Sequence, residues 1–234
     1  FDTWKKAGVI PHVQQLSSSY TGAAHIFIED STGDNAIIIA PGAAALIDIA
    51  YIQAHAALIT GADVFVTQLE QPIDAAMRGL EIARAAGVTT VLNPAPAAIL
   101  PDGMLALCDY VTPNETECEF LTGISVQTQS QAKQACDALH DLGVGTPIIT
   151  MGEQGAFVHG HGIVPAVIAG DVIETTGAGD AFNGGFAAAL AQQRTPLDAA
   201  RYGCATAGIS VTKAGTAPSM PSRDMVEKLM RLPN

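Results

Sequence analysis

Basic residues are scarce in this chain: 11 lysines and arginines stand against 23 aspartates and glutamates among 234 residues, a formal net charge of −12. Such a balance argues against nucleic acid as the main partner. Any anionic ligand then has to be held by backbone amides, helix ends and metal ions rather than by a basic patch. Cysteines number only four (Cys108, Cys118, Cys136 and Cys204), with no C-x-x-C pair and no metal-ligand spacing. They read as buried thiols in a reducing compartment. No apolar run is long enough to span a bilayer and no signal peptide is visible, so the expected location is the cytoplasm, with no membrane partner. Two phosphate-binding fingerprints are also missing. A G-x-G-x-x-G dinucleotide loop would need glycine where Phe182 stands, and no Lys-Ser/Thr pair follows Gly184 to make a Walker A loop. Internal repeats and low-complexity linkers are absent as well.

What is present is hydrophobic residues at 48% and a positive mean hydropathy of +0.28, enough to build one sizeable core. "FDTWKKAGV" opens without methionine and reads as the back half of a helix ending at Gly8, so residues 1–19 are expected to be a partial helix and connection within a longer protein. Residues 20–42 alternate apolar and polar side chains around a Gly-Asp-Asn turn and predict a two-stranded ribbon. From 43 to 234, β-rich and helical runs take turns. Strands are expected at 63–70, 88–96, 107–114 and 146–152, with a β-rich segment at 156–175. Helices are expected at 72–87, 115–123, 130–144, 178–193 and 197–213. Apolar strands alternating with helices predict an α/β fold with a doubly wound, mostly parallel sheet flanked by helices.

In such sheets ligands bind beyond the carboxyl ends of the strands. Four predicted strands end on polar groups: Glu70, Asn93, Asn114 and the turn from Thr150 to Gly152. Each has a structural reading beside a functional one. Asn114 with Glu117 three residues on fits a helix capping box. Glu70 fits a solvated loop carboxylate, and "MGEQGA" (151–156) fits a strand-to-strand turn whose glycines supply positive φ. Gly177-Ala178-Gly179-Asp180 is harder to read as structure alone. Glycines that feed a helix start leave a nest of N–H groups at a positive dipole end, which is a ready anion site. A dipole partner needs no doubled glycine, whereas close approach of a ligand does. The same dipole is expected to lower the pKa of Asp180.

"ETTGAGDAFNGGF" (174–186) resembles the C-terminal signature of the ribokinase-like (phosphofructokinase B) carbohydrate kinases. "QLEQP" (68–72), "NPAPA" (93–97), "TPNETE" (112–117), "TMGEQGA" (150–156) and "KAGTAPSMP" (213–221) occur in family order, and "NPAPA" with the last points to the ribose kinases within it. The resemblance runs from about Tyr20 to the C-terminus. It implies a β lid at 20–42, an α/β kinase domain with the nucleotide site at 43–234, and an ATP-dependent transfer of the γ-phosphoryl to the 5-hydroxyl of a sugar. Asp180 is then the catalytic base, and Gly177, Ala178 and Gly179 form the anion hole. Asn114 and Glu117 handle Mg2+ and phosphate through water. Thr150, Gly152, Gly155 and Cys204 belong to the nucleotide site, and Glu70 touches the sugar. A K+ ion is implied beside the anion hole, at Glu174, Thr176, Ser210, Lys213, Gly215 and Ser219, held mainly by backbone carbonyls. A homodimer joined through the lid is implied too.

The pattern also departs from the family. Glu174 stands where aspartate is usual, Cys204 where a polar residue is usual. The family's N-terminal segment, with its first strand and its sugar-binding aspartate and asparagine, has no match here. This stretch alone is therefore expected to hold about half a sugar pocket and to phosphorylate poorly. Kinases of deoxyribose, fructose or a nucleoside remain alternatives, as does a non-catalytic nucleotide- or sugar-binding regulator.

Overall fold

In the computed structural model, residues 1–28 and 35–231 are described. A short helix, α1 (Asp2–Lys6), leads through Gly8 to an antiparallel pair, β1 (Thr21–Ile28) and β2 (Asn35–Gly42), with Thr21 opposite Gly42. The turn expected around Gly33 and Asp34 lies outside the described residues. Helices α2 (Ile49–Ala54) and α3 (Ala56–Thr60) carry the chain into the main sheet. There the elements alternate: β3 (Val64–Thr67), α4 (Ile73–Ala85), β4 (Thr89–Leu92), β5 (Tyr110–Val111), α5 (Glu115–Thr122), α6 (Gln129–Asp141), β6 (Thr146–Thr150), β7 (Ala156–Val158) and β8 (Gly162–Val164). Four helices follow, α7 (Ala178–Ala191), α8 (Pro196–Ser210), α9 (Thr216–Ser219) and α10 (Arg223–Met230).

The six strands of the main sheet lie in sequence order, β3 to β6 parallel and β7 and β8 antiparallel. Because successive strand residues face opposite sides, neighbours divide between two cores. Leu92 and Ile149 join Leu80 of α4, Cys118 of α5 and Leu139 of α6 on one face. Val91 and Ile148 join Phe182 and Phe186 of α7, Ala205 of α8 and Val226 of α10 on the other. The doubly wound, mostly parallel arrangement is what the alternating pattern predicts. All four cysteines are buried and free.

Helices α7 and α8 are rich in small residues because their backbones nearly touch. A Cβ on Gly185 would lie 2.3 Å from Thr206 Oγ1, and one on Gly203 would lie 2.8 Å from Cδ2 of Phe182. That close contact fixes the start of α7 relative to the sheet.

Several expectations differ from the structure, among them the strand at 88–96, which spans only Thr89–Leu92. β3 ends at Thr67, three residues early, because Leu69 turns inward and donates its N–H to the Ala95 carbonyl at 2.9 Å. The run 107–114 keeps only two strand residues, because Leu105–Leu107 form a 3-10 turn before it. Segment 165–176 forms no strand. Instead the Ile173 N–H bonds the Val211 carbonyl at 2.8 Å, and the segment lies so close on α8 that a Cβ at Gly208 would meet Val167 O at 2.1 Å.

Candidate active site

The site begins with the way α7 starts. Its N-cap, Gly177, sits in the left-handed region (φ 82°, ψ 5°) and has no side chain to accept from the first turn. A Cβ there would come 3.3 Å from Thr216 Cγ2, so position 177 is tight as well as left-handed. The Ala178 N–H bonds the Thr175 carbonyl at 3.0 Å and the Ala181 N–H bonds the Gly177 carbonyl at 2.9 Å. The intervening amides of Gly179 and Asp180 are first-turn donors that the helix itself does not use. A Cβ on Gly179 would meet nothing within 4 Å, so the side of the turn that Gly179 presents is open. An anion can approach there to within backbone contact.

Asp180 is one residue further in and lines a cleft of about 380 Å³ at the carboxyl ends of β3 and β4. Thr67, Gln68, Gln71, Asn93 and Asn183 supply polar groups to the same cleft, and Ile47, Ile52, Phe65 and Val66 its apolar wall. Solvent reaches Asp180 through the cleft mouth, while protein flanks its other side. Desolvation raises its pKa above the ordinary carboxylate value. This is the reverse of the lowered pKa expected from the helix dipole, and desolvation by the flanking protein is its cause.

The second group of residues closes the end of β5 and starts α5. Asn114 Oδ1 accepts from the Glu117 N–H at 2.8 Å, and Glu117 Oε2 accepts from the Asn114 N–H at 2.9 Å, a full capping box. Burial pushes the Glu117 carboxyl up. The structural reading of this pair is therefore realised, and Oε1 of Glu117 takes no part in it. Asn114 also bridges to Thr150 across the sheet edge, and the Thr150 N–H reaches the Pro113 carbonyl at 2.9 Å. The structure thus brings Asn114 and Thr150 together.

Other sequence-predicted residues fall differently. Gly152 is exposed at φ 50° with open space where a Cβ would be. Gly155 is buried at φ 100°, and its Cβ would lie 2.1 Å from the Val164 carbonyl oxygen. It shapes the turn between β6 and β7 from within instead of lining a surface. Cys204 lies in the core against α7, its thiol pushed up to about 12 by burial, so it offers no open face to a base. Glu70 is exposed outside the lining of the cleft, because the early turn at Leu69 aims Gln68 and Gln71 inward instead.

The segments proposed to hold a monovalent cation do meet. Glu174 Oε2 accepts from the Gly215 N–H at 2.8 Å, tying the segment before Thr176 to the loop after α8. Ser210 and Ser219 are buried and Lys213 is exposed.

Sequence reasoning missed Gln68, Gln71, Thr112 and Asn183. For Asn183 a signal existed: it stands three residues from Asp180 and four from Gly179, on one face of the helix.

A cleft beyond the carboxyl ends of parallel strands, with a carboxylate beside unused helix-start amides, is a site of the kind found in α/β enzymes. The model of the pfkB family carbohydrate kinases matches residues 1–223. The chain is 41% identical over 215 residues to a ribokinase of Haemophilus influenzae, a match covering 91% of this chain and 70% of that protein. It is 34% identical over 229 residues to a deoxyribokinase of Salmonella typhimurium, covering 94% and 73% respectively. Among solved structures, ribokinase of Arabidopsis thaliana complexed with ribose and ATP superposes with a TM-score of 0.85 at 29% identity, over 92% of this chain and 70% of that one. The chain belongs to the pfkB family of carbohydrate kinases, phosphotransferases with an alcohol group as acceptor.

Proposed function

We propose that this chain is an ATP-dependent sugar kinase that moves the γ-phosphoryl of ATP to the 5-hydroxyl of D-ribose, giving ribose 5-phosphate. One observation carries the reading: Asp180 lines the cleft next to the uncapped amides of α7. Phosphoryl transfer needs charge stabilised on the moving group and an acceptor for the proton of the attacking hydroxyl. The amides of Gly179 and Asp180 supply the first, with Gly177 and Ala178 shaping the turn, and the Asp180 carboxylate supplies the second.

The cleft lining also bears on the substrate. Among the described residues it contains Gln68, Gln71, Asn93 and Asn183 but no lysine, arginine or histidine. Amide side chains suit the neutral hydroxyls of a sugar. Ribose fits that chemistry, as do the relatives named ribokinase. Deoxyribose is the second reading, supported by the deoxyribokinase relative. A panel of ribose, deoxyribose, fructose and nucleosides with ATP decides between them. The expected order puts ribose first by kcat/KM, and preference for another sugar would replace the assignment.

Among the described residues no group of three or more His, Cys, Asp or Glu could hold a metal ion. Magnesium would therefore lean on water and phosphate oxygens, with Asn114 and Glu117 as its protein partners, and would neutralise phosphate charge. Thr150 and Gly152, beside Asn114 at the same sheet edge, would border the nucleotide. Hard oxygen donors on the two tied segments suit potassium, which Glu174, Thr176, Ser210, Lys213, Gly215 and Ser219 would surround, mostly through carbonyls. Replacing potassium by sodium at constant ionic strength is expected to lower the rate. Equal rates in both salts would remove the cation from the account.

The reading is completed by a cytoplasmic homodimer joined through β1 and β2. The free, buried cysteines support the reducing compartment. Phe27, Ile38 and Ile39, exposed on the lid, support the contact.

A further inference from the structure

Taking the cleft as the kinase site proposed above, we infer that Thr112 is a positioning residue that holds the start of α7, and with it Asp180, through the side chain of Asn183. Thr112 Oγ1 donates to Asn183 Oδ1 at 2.7 Å, both side chains being buried. The amide of Asn183 is thereby oriented so that its Nδ2 donates to the Gly179 carbonyl at 3.0 Å. Thr112 is itself fixed on the sheet. Its N–H bonds the Leu92 carbonyl at 2.9 Å, and its carbonyl accepts from Asn93 Nδ2 at 3.1 Å.

The relay spans 71 residues of sequence. It runs from the end of β5 to the peptide directly before Asp180, so it sets the direction of the carboxylate and of the adjoining amides together. Thr112 also stands two residues before Asn114, at the other side of the site. One hydroxyl thus couples the two halves that have to face each other across a bound nucleotide. The hydroxyl also lies 3.4 Å from the Leu92 carbonyl, but the bond to Asn183, at 2.7 Å, is the shorter and is the one that reaches α7. Orientation matters this much because small misplacement of a reacting group costs far more rate than binding.

Thr112→Val keeps the shape and removes the donor. The expected result is a kcat lower by about 10-fold to 100-fold with KM changed by less than about 3-fold. Thr112→Ser restores the rate to within a few-fold. On an Asp180→Asn background, Thr112→Val causes little further loss, because the group it positions is already gone. Amide hydrogen exchange at Ala181 and Phe182, measured on the unliganded full chain, rises in Thr112→Val and returns to wild type in Thr112→Ser.

A kcat within 2-fold of wild type in Thr112→Val, or a full extra loss on the Asp180→Asn background, overturns the assignment. Turnover of the wild type on the sugar panel reports separately on the kinase reading. If no sugar is turned over, the exchange experiment decides on its own, and unchanged exchange at Ala181 and Phe182 overturns the relay. Should the valine variant fail to fold, Thr112→Cys, which keeps the size with a weaker donor, is read by the same criteria.

Discussion

Asp180→Asn is expected to lower kcat by about 10² to 10⁴, the range for losing a positioned general base. The substitution keeps the side-chain size and removes only proton acceptance. The packing of Phe182 and Phe186 below it is untouched, so the fold survives. ATP affinity stays the same or rises slightly, because a negative charge near the phosphates is gone.

The pH dependence has a defined sign. Burial raises the Asp180 pKa in the folded protein, so the folded state holds the proton more tightly than the unfolded chain does. That contribution to stability is fully present below the ordinary carboxylate pKa and is lost as pH rises through the raised value. The wild type therefore gives up some stability at neutral pH that the asparagine variant retains, and the variant melts at an equal or higher temperature at pH 7. The wild-type rate falls as acid protonates the base, with a midpoint above the usual carboxylate range, and the residual rate of the variant lacks that limb. Were Asp180 only a dipole partner, the change would cost under about 1 kcal/mol of stability and leave the rate nearly intact. Measuring kcat, ATP affinity and Tm on one preparation separates the cases, and turnover within a few-fold of wild type places the base elsewhere.

Gly155→Ala is expected to be the most destabilising single methyl in the β6–β7 turn. Its backbone conformation (φ 100°, ψ −125°) is one that side chains avoid, and the added Cβ would sit 2.1 Å from Val164 O and 2.4 Å from Ala166 N. Those neighbours are backbone atoms, so relief requires moving the chain after β8. Strain and overlap together cost about 3 kcal/mol or more, a fall in Tm on the order of 6–12 °C for a domain of this size. Gly152→Ala, three residues earlier, is the contrast. Its φ is 50° and its Cβ meets nothing within 4 Å, so the cost is about 1 kcal/mol. At Gly152 the larger effect is on ATP affinity, because the methyl projects into open space at the sheet edge. Thermal melts and nucleotide titrations of both variants test the pair. Similar Tm values would show that the turn yields where Gly155 is held.

The alternation of strands and helices from 63 to 213 was legible because β-rich and helical runs take turns with little ambiguity, and Asn114 marked the start of the helix at 115–123. The short helices at 49–60, 216–219 and 223–230 were not read. Strand lengths were not legible either. Leu69 after Thr67 and the apolar run before Tyr110 read as strand, but the bond from Leu69 to Ala95 and the 3-10 turn at Leu105 end the pairing there. Likewise, β-branched residues at 167–173 looked like strand and instead lie across α8. Within the site, Asp180 and its glycines were visible because their chemistry is local. The burial of Gly155 and Cys204 was not legible locally, nor was it that Gln68 and Gln71, rather than Glu70, line the cleft. The bond between Thr112 and Asn183 joins two distant stretches, and no local pattern reports which hydroxyl an amide will find.

Gly177 has a consequence for how this molecule relates to what it binds. A serine, aspartate or asparagine in a normal capping geometry would finish the helix by itself and occupy the amides that an incoming phosphate needs. By leaving them bare, α7 makes its occupant the missing cap. An anion bound there and the first turn of α7, which Asn183 also holds, would stabilise one another.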